Sequence, residues 1–130
     1  VISSYRTAIN MSTSSTQKED LEYEILEIIF YKKVNLRGAY NMALGINGSK
    51  RSKALEIAAD CVAQLANSCG SSTFERKCNY LYAAELAQKA GDGGKASRYR
   101  AMGPSSTEIF TEGNPSSASL SCWGVSVSLK

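Results

Sequence analysis

The residues with the most distinctive chemistry in this chain are four cysteines, Cys61, Cys69, Cys78 and Cys122, set among 130 residues that include no histidine. Without histidine there is no Ser-His-Asp or Cys-His nucleophile pair, no His-ligated metal and no usual proton shuttle near neutral pH, so the expectation is that the protein is not an enzyme. No two cysteines have C-x-x-C spacing, which removes the thioredoxin-type motif and argues against a structural zinc site. What remains for the thiols is nucleophilic addition, pairing or burial. Cys78 follows Arg76-Lys77, whose charges would lower the thiol pKa and favour the thiolate. Cys61 and Cys69 fall on an apolar helical stripe, where a free cysteine commonly acts as a small buried hydrophobe. Cys122 stands in a polar, serine-rich segment where packing gives no reason for a thiol; there it is a disulfide partner, an attachment point or a chance residue. The sequons Asn10-Met11-Ser12 and Asn47-Gly48-Ser49 are compatible with secretion and equally with chance in so serine-rich a chain.

Two other patterns invite a chemical reading. Gly91-Asp92-Gly93-Gly94-Lys95 has the look of a phosphate loop, but Lys89 stands where the first glycine is needed and Ala96 where the hydroxyl is needed. A plain interhelical turn is expected. Basic residues gather at Lys50, Arg51 and Lys53 and again at Lys95, Arg98 and Arg100, with Tyr99 among them. On stacked hairpins they could share a face and contact RNA phosphates, although the net charge of +3 lacks the dense basic footprint of a nucleic-acid binder. Solvated helix faces are the expectation, and nucleic acid is not an expected partner. The acidic residues Glu19, Asp20, Glu22, Glu24 and Glu27 precede Lys32 and Lys33 along one helix, an order that the helix dipole explains without invoking catalysis.

The elements that must position these residues are helices. Ser72 and Glu75 have capping-box spacing, Gly91 suits a left-handed helix end, and a helix over about Thr73 to Ala90 follows. A second helix, Lys95 to Met102, is stopped by Gly103-Pro104. Small residues (Ala83, Ala84, Ala87, Ala96) allow the pair to approach closely, with Tyr80, Tyr82 and Tyr99 filling the remaining space. Upstream, Thr16 and Glu19 open a helix with Leu21, Ile25, Ile28 and Ile29 on one face, widened by Tyr23, Leu26 and Phe30. Near Asn35 the pattern breaks or kinks, then Leu36 to Leu44 forms a short helix ended by Gly45. Asn47-Gly48 turns the chain, and Ser52 opens a helix to about Asn67. Lys53-Ala54 and Lys95-Ala96 each follow a small-residue helix and a glycine turn, the spacing of helical-hairpin repeats.

At 130 residues the chain is expected to be one domain, and no apolar run approaches bilayer length. Its opening, VISSYRTAIN, lacks the basic-then-apolar order of a signal peptide. The expected fold is all-α: four to five helices in stacked antiparallel hairpins, α-solenoid-like, spanning residues 16–104. An extended N-terminal arm (1–15) and an extended C-terminal tail (105–130) flank it. In that tail only Trp123, Val125, Val127 and Leu129 suggest a short strand, and the Ile109-Phe110 and Cys122-Trp123 pairs suggest that it lies over a partner.

Arg76-Lys77-Cys78 opening a tyrosine-rich helix, Asp60 adjoining Cys61, and a helical body with arms together resemble the gamma subunits of red-algal phycoerythrin, the linker polypeptides of the phycobilisome that carry bilins on cysteines. The resemblance covers about Thr16 to Pro104. It implies a non-enzymatic role in light harvesting for photosynthesis: filling the cavity of a ring of phycobiliprotein alpha and beta subunits, at the stromal face of the thylakoid in the chloroplast. It also implies a chromophore, phycoerythrobilin or phycourobilin, joined as thioethers to Cys61, Cys69, Cys78 and Cys122. Asp60 or Asp92 would then accept from pyrrole N–H groups, and Arg76 or another cation would pair with propionates. Two alternatives come from the residues alone: a helical-repeat adaptor that binds protein or RNA, with buried cysteines, and a secreted, disulfide-bonded helical protein.

Overall fold

The computed structural model of the chain describes residues 15–32 and 35–129, and for residues 15–19 the backbone alone. The expected arm before Ser15, the sequon at Asn10 and the capping side chains of Thr16 and Glu19 lie outside the described residues. Among the described residues there are six α-helices and one two-stranded sheet: α1 (Ser15–Tyr31), α2 (Leu36–Leu44), α3 (Arg51–Leu65), α4 (Thr73–Lys89), α5 (Gly93–Met102), α6 (Ser106–Thr111), β1 (Ser117–Leu120) and β2 (Val125–Ser128). The chain is therefore mostly helical, as expected, but not all-α.

The helix boundaries follow local chemistry. Asn35 caps α2 by accepting from the Gly38 N–H at 2.8 Å, and a Cβ at Gly38 would come within 2.6 Å of the Asn35 amide. Only glycine lets that cap fold over its own first turn. A 3₁₀ turn at Gly48–Lys50 leads into α3, and another at Ala66–Ser68 leaves it. Helix α4 ends in a Schellman arrangement: the Gly91 N–H bonds Gln88, the Asp92 N–H bonds Ala87, and Gly91 has φ +87°. Asp92 then caps α5, its carboxylate accepting from the Lys95 N–H at 2.9 Å. The glycine-rich stretch is thus the interhelical turn that its departures from a phosphate loop imply.

From α1 to α5 each helix packs on the next, and α4 touches α3, α5 and both strands. The core runs through Ile25, Leu26, Ile29 and Phe30 of α1, Tyr40 of α2, Ile57 and Val62 of α3, and Leu86 of α4, with alanines at the closest helix approaches. On α1 the deepest face is centred on Ile25, Leu26 and Ile29, with Leu21 and Ile28 half-buried at its margin.

The extended tail expected over 105–130 is corrected by the structure. Ser105 and Glu108 form a full capping box that starts α6, and Glu108 also receives Lys77 of α4 at 2.8 Å. After Gly113 and Asn114, both at positive φ, the chain makes an antiparallel hairpin with Leu120 opposite Val125 and Ala118 opposite Val127. One face of this hairpin carries Leu120 and Val127, both buried, and Trp123 from its turn joins them in the core. A strand of sequence SASL has almost no periodic signal of its own; the partner strand and α4 create it.

Candidate functional site beneath the C-terminal hairpin

The hairpin turn sets down on α2, α4 and the α3–α4 link, and there most of the unusual side chains of the protein meet. Arg37 donates through Nη2 to the Cys122 carbonyl, while its guanidinium lies 4.6 Å from the centre of the Trp123 ring. Tyr40 meets Trp123 edge-on at 4.5 Å between ring centres. The hydroxyls of Tyr40 and Tyr82 are 2.5 Å apart in the core. Burial and that contact push the Tyr82 hydroxyl well above the usual tyrosine range.

Asn79, 1 % exposed, organises the cluster. Its Nδ2 donates to the carbonyls of Ala66 at 3.0 Å and Cys69 at 2.7 Å, and its Oδ1 accepts from Trp123 Nε1 at 3.2 Å. One amide therefore ties the 3₁₀ turn after α3, the link to α4 and the hairpin. Glu75 and Arg76 frame its outer rim. Ser72 Oγ accepts from the Glu75 N–H, which is half of the expected capping box. The Glu75 carboxylate does not reach back to the cap; it accepts from Ser121 at 2.8 Å and Ser71 at 3.3 Å.

Of the six residues singled out from sequence, the structure brings two thiols together. Cys69 and Cys122 are neighbours, and burial, with Cys122 beside it, pushes the Cys69 thiol up to about 11. Cys61 and Cys78 are fully buried in the apolar core. Burial raises Cys61 to about 12, with Asp60 adding to the rise. The activated thiolate expected at Cys78 is corrected: burial raises it to about 11, with Glu75, Glu112 and Glu108 adding. The reason is geometric. Arg76 Nε donates to the Gly70 carbonyl at 3.2 Å and Lys77 pairs with Glu108, so both cations have other partners and Cys78 faces carboxylates.

Asp60 belongs to a separate cluster that clasps α3 to α5. Its carboxylate accepts from Tyr99 at 2.5 Å and Lys95 at 3.1 Å. Glu56 stands 4.0 Å from Lys95 and shares a hydrogen bond with Asp92, which raises the Glu56 pKa; Asp92 is lowered, chiefly by the Lys95 N–H that it caps. Several residues of the basic clusters are likewise engaged within the fold. Lys50 lies over the Tyr23 ring, Arg51 donates to the Ile46 carbonyl, and Arg100 donates to Gln88. Among the described residues no group of three or more His, Cys, Asp or Glu side chains is arranged to hold a metal ion, and no helix is long and apolar enough to cross a membrane.

Sequence reasoning missed Arg37, Tyr40 and Asn79. Two signals were available: an asparagine inside the apolar run of α4, and a tyrosine pair with the same offset as Lys53 and Lys95. No protein-family model matches the chain, and neither a curated protein nor a solved structure does.

Proposed function

We propose that the protein is a non-enzymatic assembly polypeptide, a linker or adaptor whose helical hairpins stack in an α-solenoid-like array and present a docking face to another polypeptide. The observation that carries this reading is where the chemistry goes. Three of the four thiols are buried, and the Asp60, Glu108 and Asn79 side chains are bonded within the fold, whereas Phe110 (75 % exposed) and Met102 (50 %) face outward. Near them a groove of about 340 Å³ runs between α4, the α5–α6 link and β2, lined by Leu81, Pro104, Ile109 and Leu129, with Glu85 and Arg100 at its edges. Such a surface fits the apolar side chains of a partner protein flanked by charge of both signs, and it offers no row of free cations to nucleic acid. A photo-crosslinking phenylalanine at position 110 should give, in extract of the native source, an adduct of one defined mass. Leu81→Arg, with native circular dichroism, should reduce that adduct at least tenfold. An adduct indifferent to Leu81→Arg means that this face is not the docking surface, and the reading fails.

The antenna linker is the specific form of this proposal suggested by the phycoerythrin gamma resemblance, with phycobiliprotein alpha and beta subunits as partners and the stromal face of the thylakoid as its place. One feature favours a pigment at Cys122: it is the cysteine that solvent reaches, and Arg37 is beside it to pair with a propionate. Bilins on Cys61 or Cys78 require the core to open. The natively purified protein, denatured in acidic urea, should then keep a visible band that follows the Cys122 peptide on proteolysis. A colourless native protein removes the pigment and leaves the adaptor.

A further inference from the structure

We propose that Cys69 and Cys122 form a reversible disulfide that locks the C-terminal hairpin onto the α3–α4 link. This inference is independent of the docking face and competes with a pigment at Cys122. The segments that carry the two thiols lie side by side: Glu75 accepts from both Ser71 and Ser121, and Asn79 bonds both the Cys69 carbonyl and Trp123. Asn79 fixes the Cys69 carbonyl, and Arg37 fixes the Cys122 carbonyl. On either side of Cys122, Ser121 is anchored to Glu75 and Trp123 to Asn79. Two cysteines on segments held side by side by separate anchors are placed to be cross-linked. The pair is also singled out by access: Cys122 is half-buried at the hairpin turn, whereas Cys61 and Cys78 are sealed in the core.

The oxidant is a low-molecular-weight disulfide such as glutathione disulfide. The Cys122 thiolate attacks one of its sulfurs, the glutathione S–S bond breaks, and one glutathione thiolate leaves with the electron pair. Cys69 then gives its proton to solvent and attacks the Cys122 sulfur. The mixed disulfide breaks and the second glutathione leaves, so two protein thiols are oxidised as one glutathione disulfide is reduced. Burial of the Cys69 thiol makes this second step the slow one, and raising the pH accelerates it. The closed loop holds on the order of fifty residues, and the cross-link should raise the melting temperature by roughly 10 °C.

The test uses the reduced full chain, diluted into glutathione buffers from fully reduced to fully oxidised, then alkylated in denaturant and mapped by tandem mass spectrometry. The expected product is a monomer lighter before alkylation by about 2 Da, two hydrogens, which then takes alkyl groups on Cys61 and Cys78 alone and yields a fragment joining Cys69 to Cys122. Reduction should return the lower melting temperature. Cys61→Ser should leave the cross-link intact, and Cys122→Ser should abolish both it and the shift. Four alkylated cysteines at full oxidation, a stable glutathione adduct that never closes, or any other pairing overturns the proposal. Since the mapping is done on the unaltered chain, a variant that fails to fold does not blur the result.

Discussion

A single amide in the core does more for this fold than its sequence context announces. Asn79 makes three hydrogen bonds in a site that water does not reach, so its removal takes their side-chain partner from a buried tryptophan N–H and the Cys69 carbonyl and leaves the Ala66 carbonyl only the Cys69 N–H. Asn79→Ala should cost about 3 kcal/mol by that reasoning; urea unfolding followed by the fluorescence of Trp123 checks it, and an effect below about 1 kcal/mol would mean that water replaces the amide. The buried thiols give a second expectation at this scale. Cys61 and Cys78 are raised from 9.0 to about 12 and about 11, so folding holds protons that the unfolded chain releases first. Their contribution is complete below about pH 9 and is lost as pH rises through the folded values. The slope is roughly 1.4 kcal/mol per pH unit for each thiol. Denaturant midpoints should therefore fall between pH 9 and 10, and the double variant Cys61→Ala, Cys78→Ala should show a shallower fall.

Between elements, the ties are polar where the helices are thin in apolar surface. Helix α5 buries Ala96 and little else, and it is held to α3 by Asp60 receiving Lys95 and Tyr99. Burial and that carboxylate push the Tyr99 hydroxyl well up, which marks the bond as one that needs the neutral phenol. Asp60→Ala should destabilise the protein by about 2 kcal/mol through the loss of the Tyr99 and Lys95 bonds, the Tyr99 hydroxyl being the donor left without a partner. It should also increase amide exchange in α5 more than in α3, as hydrogen–deuterium exchange can resolve. Equal exchange in both helices would show that α5 is held by packing instead. The half-realised capping box at Ser72 teaches a related lesson. The Ser72–Glu75 spacing located the start of α4 correctly, and yet the hairpin, arriving from 46 residues away, took the carboxylate for Ser121.

For the whole molecule, the consequential finding is that the last fifth of the chain completes the core. Leu120, Trp123 and Val127 are buried against α2 and α4, which without them would expose Tyr40, Tyr82 and Asn79 to solvent. A chain cut after Pro104 should lose cooperative unfolding, bind a hydrophobic dye and be cleaved readily by protease. A truncated chain with a sharp transition and native near-ultraviolet signal would show that the helical body folds alone.

What was legible in the amino-acid sequence is what local physics writes there. Asn35, Ser72, Asp92, Gly91 and Gly103-Pro104 bound their helices by hydrogen bonds and torsions within a few residues, so α2, α4 and α5 were placed to within about two residues, as cap signals allow. The fate of the cysteines, the strand β1 and the meeting of Arg37, Tyr40, Asn79 and Trp123 depends on contacts spanning 42 to 85 residues of chain. Tertiary structure alone decided them. A thiol's pKa answers to the charges and burial around it in space, and Arg76 and Lys77, adjacent to Cys78 in the chain, turn away from it in the fold.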